Sequence, residues 1–394
     1  MLRRVALPSF SSASFFTSIV MAADGPSSSA PRAEPSTQQQ LPVRSAPSSS
    51  AAANNASAQP DHGSSFDIVR TYRELLNSDR ELTMGVAAIE SLIELLRVTP
   101  SSTAMELVEI VKKEKAKLLA STPNPLPLLA GADLFEQYLL RSLRGPTAAP
   151  GAGSSGQDRV LSFDETRQHL VDNKDLFAER AKAARDHIAL WGSRYVSDGC
   201  VVLAMGGSRT VTKILLRAAA DPSKHFRVIY VVDGHNRRSD VAVAELREAG
   251  LEVETISPHK IAYVLGNQKR INLVLVGTEV VMQNGGIVSG MGTAQLAHLA
   301  KTVKGGMRRF YVAAETHKIC RRTPIAYPMV NRVGVRQKDI SKFDMIGVDP
   351  DPDAVVVPED EEVDYTDPEL IDGIITEQGV KMTSQIWEMV DDYI

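Results

Sequence analysis

The second half of the chain carries apolar runs that do not alternate with polar residues. Cys200 to Ala204, Phe226 to Val232, Leu273 to Val276 and Phe310 to Ala314 are nearly continuous, and Leu251 to Ile256 reads as a further strand among them. Strands of this kind are buried on both faces, which calls for a parallel sheet covered by helices on each side. The intervening residues have helical spacing: from Ser208 to Ala220, Ser239 to Ala249, Pro258 to Leu265 and Thr293 to Lys301. A sixth strand is expected over Phe343 to Val348. In such sheets ligands sit beyond the carboxyl ends of the strands. Here those ends are Met205-Gly206, Asp233-Gly234, Gly277-Thr278-Glu279 and Glu315-Thr316-His317.

The first half reads differently. Residues 66–191 show helical periodicity and no strand signal. Phe66, Val69, Leu75 and Leu76 mark a first short helix, interrupted at Asn77-Ser78-Asp79, with Ser78 or Asp79 available to cap the next. Val86, Ile89, Leu92, Ile93 and Leu96 form that second helix, and Pro100 ends it. Ser101 or Ser102 is placed to cap a third, followed by a helix over Leu128 to Leu143, a flexible Gly145 to Gly156 loop, and one long helical stretch from Phe163 to Trp191. Residues 1–65 are expected to be a disordered low-complexity tail; within it residues 24–63 are rich in Ser, Ala, Pro and Gln and too poor in large apolar residues to offset chain entropy. Residues 1–23, with Arg3 and Arg4 and no acid before Asp24, fit an organellar presequence or an upstream start before Met21.

Net charge is −4, so no bulk nucleic-acid binding is expected. Two cysteines make no disulfide framework, and no apolar run approaches the roughly 18 residues of a membrane helix. No residues have metal-ligand spacing, and no cofactor is implied.

Two stretches carry candidate chemistry. Gly206-Gly207-Ser208-Arg209 stands between a strand and a helix, where free amides and the helix dipole favour an anion and Arg209 adds a cation. A tight turn that needs glycine is the other reading, and the residues match neither the dinucleotide fingerprint nor the P-loop. The second stretch is Asn284-Gly285-Gly286 with Gly290 and Gly292, beside Glu279 as a candidate acid or base. A lone carboxylate is not a mechanism, and these glycines serve close backbone packing equally well. Glu315, His317 and Lys318 suit either catalysis or an interface network. The acidic run from Asp349 to Asp364 reads as a solvated linker, and Asp364-Tyr365-Thr366-Asp367-Pro368 as the start of a helix with Thr366 or Asp367 as cap.

Three blocks carry a resemblance: VGTEVVMQNGGIVSGMGTAQLAHLAK (276–301), RFYVAAETHK (309–318) and VDYTDPELIDGIITEQGV (363–380). With VAAIESLIELLR (86–97) and Ser208-Arg209, they resemble the alpha, beta and delta subunit family of eukaryotic translation initiation factor 2B, its alpha members most, a family related to sugar-phosphate isomerases. The resemblance implies an α/β fold: an N-terminal helical domain (66–191), then a Rossmann-like, mostly parallel sheet domain (192–394) that dimerises. It further implies a cytosolic, non-catalytic regulatory subunit of the guanine-nucleotide exchange factor for initiation factor 2. Its partners would be a second copy, the beta, delta, gamma and epsilon subunits, and the phosphorylated alpha subunit of initiation factor 2. A vestigial sugar-phosphate pocket would use Gly206, Gly207, Ser208, Arg209, Glu279, Asn284, Gly285 and Gly286. The isomerase relatives place a cysteine where Gly206 stands, an aspartate where Glu279 stands and a lysine where Gly290 stands, so isomerase chemistry is expected to be lost. The alternatives are an active aldose–ketose isomerase, or the beta or delta paralogue.

Overall fold

The computed structural model describes residues 66–99, 103–144, 163–172, 175–234, 237–267, 271–304, 308–321, 335–336 and 362–391. The 1–65 tail, the Gly145–Gly156 loop, the strand expected over Phe343–Val348, residues 349–361 of the acidic run and His235 lie outside them. The described residues, from Phe66 on, belong to one compact unit.

Helices come first: α1 (Ile68–Ser78), α2 (Met84–Val98), α3 (Ala104–Ala120), α4 (Leu126–Arg144), α5 (Phe163–Asp172) and α6 (Asp175–Gly192). Asp67 caps α1, accepting from the amides of Val69 at 3.0 Å and Arg70 at 3.3 Å. Thr83, rather than Ser78 or Asp79, caps α2, and Thr103 caps α3. Asp79 is instead used inside the preceding turn, where it accepts from the Glu81 amide at 2.8 Å. Of the long helical stretch expected from Phe163 to Trp191, Phe163–Asp172 and Asp175–Gly192 are helical, and residues 173–174 lie outside the described residues. The bundle has its own core, with Ile89, Leu92, Leu96, Leu107, Leu118 and Phe135 fully buried.

The sheet follows: β1 (Val201–Met205), α7 (Arg209–Ala219), β2 (Arg227–Val231), α8 (Arg237–Glu248), β3 (Glu252–Ile256), α9 (Ile261–Asn267), β4 (Ile271–Gly277), β5 (Val280–Met282), β6 (Ile287–Gly290), α10 (Thr293–Thr302), β7 (Arg309–Ala313), β8 (Ile319–Cys320), β9 (Val363–Thr366), β10 (Gly373–Thr376), β11 (Gly379–Lys381) and α11 (Ile386–Asp391). The large sheet has seven strands in the order β11-β10-β7-β4-β1-β2-β3, parallel except for β11. Period-two geometry sends Val201, Leu203 and Met205 to one core and Val202 and Ala204 to the other. Helices cover both faces, as the continuous apolar runs require.

A second sheet, β8-β5-β6-β9, was not legible in the sequence. It overturns two expectations. The glycine-rich stretch after β4 is largely the β5–β6 hairpin, with Val280, Val281, Ile287 and Val288 fully buried. The Asp364–Pro368 segment opens no helix: Val363–Thr366 is strand β9, paired antiparallel to β6, and Pro368 enters a single 3-10 turn. The reason is burial. Val363 and Tyr365 pack on Val280, Met282, Val288 and on Leu126, Leu129 and Ala130 of α4, which ties this sheet to the helical bundle. Two segments that each begin with glycine, Gly373–Thr376 and Gly379–Lys381, then make the β10–β11 hairpin.

Candidate functional site

The loop after β1 turns at Gly206 and Gly207, with φ of +91° and +63°. The Gly207 amide donates to the Tyr230 hydroxyl at 3.0 Å, from the neighbouring strand β2. Burial pushes that hydroxyl's pKa up to about 12, so it stays a neutral partner under the loop. Ser208 caps α7, its hydroxyl accepting from the Val211 amide at 3.5 Å. It also sits hard against Gly277 of β4, where a Cβ would come within 2.3 Å of the hydroxyl oxygen. The cation expected here is engaged elsewhere. Arg209 donates to the main-chain carbonyls of Arg80 and Leu82, in the turn between α1 and α2. Burial, and then the nearby Arg185 guanidinium, lower its pKa from the ordinary arginine value, with Glu81 and Glu315 working against that.

The carboxyl end of β7 holds a buried network. Glu315 is 1% exposed, accepts from the Thr210 hydroxyl at 3.0 Å and pairs with Lys318 at 2.9 Å and Arg185 at 3.4 Å. Burial alone would raise its pKa; the Lys318 ammonium, with His317 beside it, holds it well below the usual carboxylate range. Lys318 also donates to the Thr278 carbonyl at 3.0 Å. His317 shares a 3.0 Å hydrogen bond with the Thr83 hydroxyl, and burial lowers its pKa to about 4 although Glu315 opposes the shift. Glu377, after β10, accepts from the Thr316 amide at 3.1 Å; burial raises it to about 7. These groups join α6, α7 and the β7 turn to the helical bundle.

The second candidate loop divides. Glu279 lies at the end of β4, half-buried, and accepts from the Asn124 side-chain amide at 2.8 Å, in the α3–α4 turn. It shares the carboxyl edge with Gly206–Arg209, because β4 pairs with β1. Asn284, Gly285 and Gly286 do not join them. They form the turn at the far end of the β5–β6 hairpin, where Asn284 donates to the Tyr365 hydroxyl at 2.7 Å and accepts from the Gly286 amide at 3.0 Å. A Cβ on Gly285 would come within 2.4 Å of the Thr383 carbonyl, and one on Gly286 within 2.3 Å of the Tyr365 hydroxyl.

Two residues escaped sequence reasoning. Tyr230 lies inside an apolar run, and nothing in the run marks its hydroxyl as the loop's support. Asp364, in β9, caps α10 from a distant part of the chain: one carboxylate oxygen accepts from Gly292 at 2.8 Å and Ala294 at 3.0 Å. Burial raises its pKa to about 7, against those amides. Its motif was visible, but its position opposite Ser289 needs the strand order. Among the described residues, no group of three or more His, Cys, Asp and Glu is placed to hold a metal ion, and no helix is long and apolar enough to cross a membrane. Arg209, Glu279 and His317 each bond a residue of the helical bundle, so the sheet's carboxyl end is attached to the bundle at three points.

The sequence model of the initiation factor 2 subunit family matches residues 78–383. A Dictyostelium discoideum protein, translation initiation factor eIF2B subunit alpha, is 27% identical over 337 residues, covering 82% of this chain and 95% of that protein. Ribose 1,5-bisphosphate isomerase of Archaeoglobus fulgidus is 28% identical over 162 residues, covering 41% of this chain and 50% of that protein. Among solved structures, a chain of the tetrameric eIF2B-beta2-delta2 complex from Chaetomium thermophilum shares the fold with a TM-score of 0.58 at 19% identity, covering 83% of this chain and 93% of that chain.

Proposed function

Because this chain belongs to the initiation factor 2 subunit family, matched over residues 78–383, we propose that it is an alpha-type, non-catalytic regulatory subunit of the cytosolic guanine-nucleotide exchange factor for initiation factor 2. The observation that carries this reading is the extent of likeness. Similarity to an alpha subunit runs over 95% of that protein, whereas similarity to two isomerases covers 50% and 71% of theirs. In this reading the sheet domain dimerises and docks onto the beta and delta subunits, the gamma and epsilon subunits complete the assembly, and the helical region senses the phosphorylated alpha subunit of initiation factor 2. The Gly206–Arg209 loop with Glu279 is the residue of a sugar-phosphate pocket, and Asn284–Gly286 supports the adjoining hairpin. Arg209 would then exchange the Arg80 and Leu82 carbonyls for a phosphate oxygen.

The test is affinity capture of the tagged full chain from cell extract. Co-purification of four partner subunits supports the reading; recovery of the chain alone overturns it. Light scattering of the isolated chain should give twice its 42.8 kDa. GDP release from initiation factor 2 by the assembled complex should slow on phosphorylation of its alpha subunit only when this chain is present. Calorimetry with hexose monophosphates at millimolar concentration tests the pocket. The isomerase likeness supports a second reading, and turnover of ribose 1,5-bisphosphate by the purified chain would establish it.

A further inference from the structure

The turn between α1 and α2 is bonded residue by residue to the sheet's carboxyl end. Asp79 pairs with Lys182 of α6 at 3.2 Å. The Arg80 and Leu82 carbonyls accept from Arg209 at the start of α7. The Glu81 carboxylate and carbonyl both accept from Arg185 of α6. Thr83 bonds His317, after β7, at 3.0 Å. The partners are themselves joined. Arg185 lies 3.4 Å from Glu315, which holds Thr210 at 3.0 Å and Lys318 at 2.9 Å. One arginine grips two residues of the turn, a second grips a residue of the turn and the buried Glu315, and Thr83 is at once the partner of His317 and the cap of α2.

The geometry points to Asp79–Thr83 being a latched strap that opens as one unit, with Arg209 as the latch, and that couples the start of α2 to the turn after β7. Its hold is mostly polar: of these residues Leu82 alone belongs to the bundle core. Segments held by hydrogen bonds rather than apolar burial open locally at lower free energy than the core around them. Because each of the two arginines serves more than one acceptor, loss of one grip loosens its neighbours. Release of Leu82 and Thr83 uncaps α2, whose amide at Val86 depends on the Thr83 hydroxyl. It also frees His317, beside Glu315. A displacement of the helical bundle thereby reaches the loop after β1 and the turn after β7 together, and the reverse holds by linkage. This deepens the proposed regulatory role but is read on the isolated chain, so its failure is separable from failure to capture partners.

Amide hydrogen exchange followed by mass spectrometry on the full chain tests the strap. Arg209→Ala is expected to speed exchange about tenfold or more over residues 80–87 and also over 316–319, leaving β1, β2, β4 and the α3–α4 turn at parental rates. Arg209→Lys, which keeps the charge but can grip only one carbonyl well, should give an intermediate acceleration over the same segments. Glu81→Gln, at a half-exposed side chain that Arg185 rather than Arg209 grips, should accelerate the same two segments and serves if Arg209→Ala fails to fold. Acceleration spread evenly over the sheet would show general destabilisation and overturn the proposal. Acceleration confined to residues 80–82, without residues 316–319, would show a loose turn with no coupling and overturn it as well.

Discussion

The loop after β1 and the turn of the β5–β6 hairpin carry the same signature, paired glycines after an apolar strand, and both contain glycines with left-handed φ. Their surroundings differ. A Cβ on Gly206 would meet nothing within 4 Å, whereas one on Gly285 would run into the Thr383 backbone at 2.4 Å. In the first loop Gly206 therefore serves its dihedral angle alone and keeps open space above it, while its neighbour Gly207 backs onto Arg238, where a Cβ would come within 2.5 Å; at Gly285 dihedral angle and close approach act together. Open space at the carboxyl end of a parallel sheet is where a ligand can enter. A filled turn packed on Tyr365 and Thr383 is a structural joint. A paired glycine in a sequence does not distinguish the two.

The sharpest test of the difference is Gly285→Ala. It adds left-handed strain to a backbone clash, and unfolding free energy should fall by about 3 kcal/mol or more in urea denaturation. A loss below about 1 kcal/mol would show that the turn relaxes freely and would erase the contrast with Gly206.

His317 and Asp364 should also respond to pH in opposite senses. His317, at the large sheet, titrates near 4 when folded and near 6.5 when unfolded, so it costs stability as pH falls through that interval. Asp364, in the small sheet, titrates near 7 when folded and near 3.8 when unfolded. The folded state then holds the extra proton, and stability falls as pH rises from about 4 to 7. Glu377, raised to about 7, acts in Asp364's direction, so the parent's own profile is flattened by cancellation. Single variants separate the contributions. Relative to the parent, Asp364→Asn should gain stability on going from pH 5 to pH 8, and His317→Asn on going from pH 7 to pH 4.5. Each change should be on the order of 1–3 kcal/mol, read from urea midpoints at each pH. Slopes of the same sign in both variants would refute the opposition.

Smaller effects probe the open loop itself. Tyr230→Phe leaves the Gly207 amide without its partner and should cost about 1–2 kcal/mol, with loss of protection at that amide in hydrogen exchange. Gly206→Ala meets no atom and pays only the left-handed backbone term, about 1 kcal/mol by thermal denaturation.

The legible part of this molecule was the part whose burial is written in long runs. Strands β1, β2, β4 and β7 show as continuous apolar segments because both their faces are covered. The small sheet stayed hidden because its strands span two to four residues and β6 pairs with β9 across a long separation in the chain. Ser208 and Arg209 were found by position and motif. What Arg209 does was not, because main-chain carbonyls of Arg80 and Leu82 leave no mark on the sequence. The same holds for Asn124, whose bond to Glu279 joins a turn in the helical bundle to the end of a strand.

Gly290 completes the comparison from the opposite side. By family resemblance a lysine stands at this position in the isomerase relatives, so its loss suggests either a backbone that came to require glycine or a site that no longer needed a cation. The structure separates these. Gly290 is exposed, ends β6 opposite Val363, lacks left-handed φ, and offers an added Cβ no atom within 4 Å. Nothing in the fold requires glycine there. Gly290→Lys should leave the unfolding free energy within about 0.5 kcal/mol of the parent in thermal denaturation, with reduced unfolded-state entropy tending to stabilise it. A loss of about 2 kcal/mol or more would mean that the hairpin backbone itself requires glycine at this position.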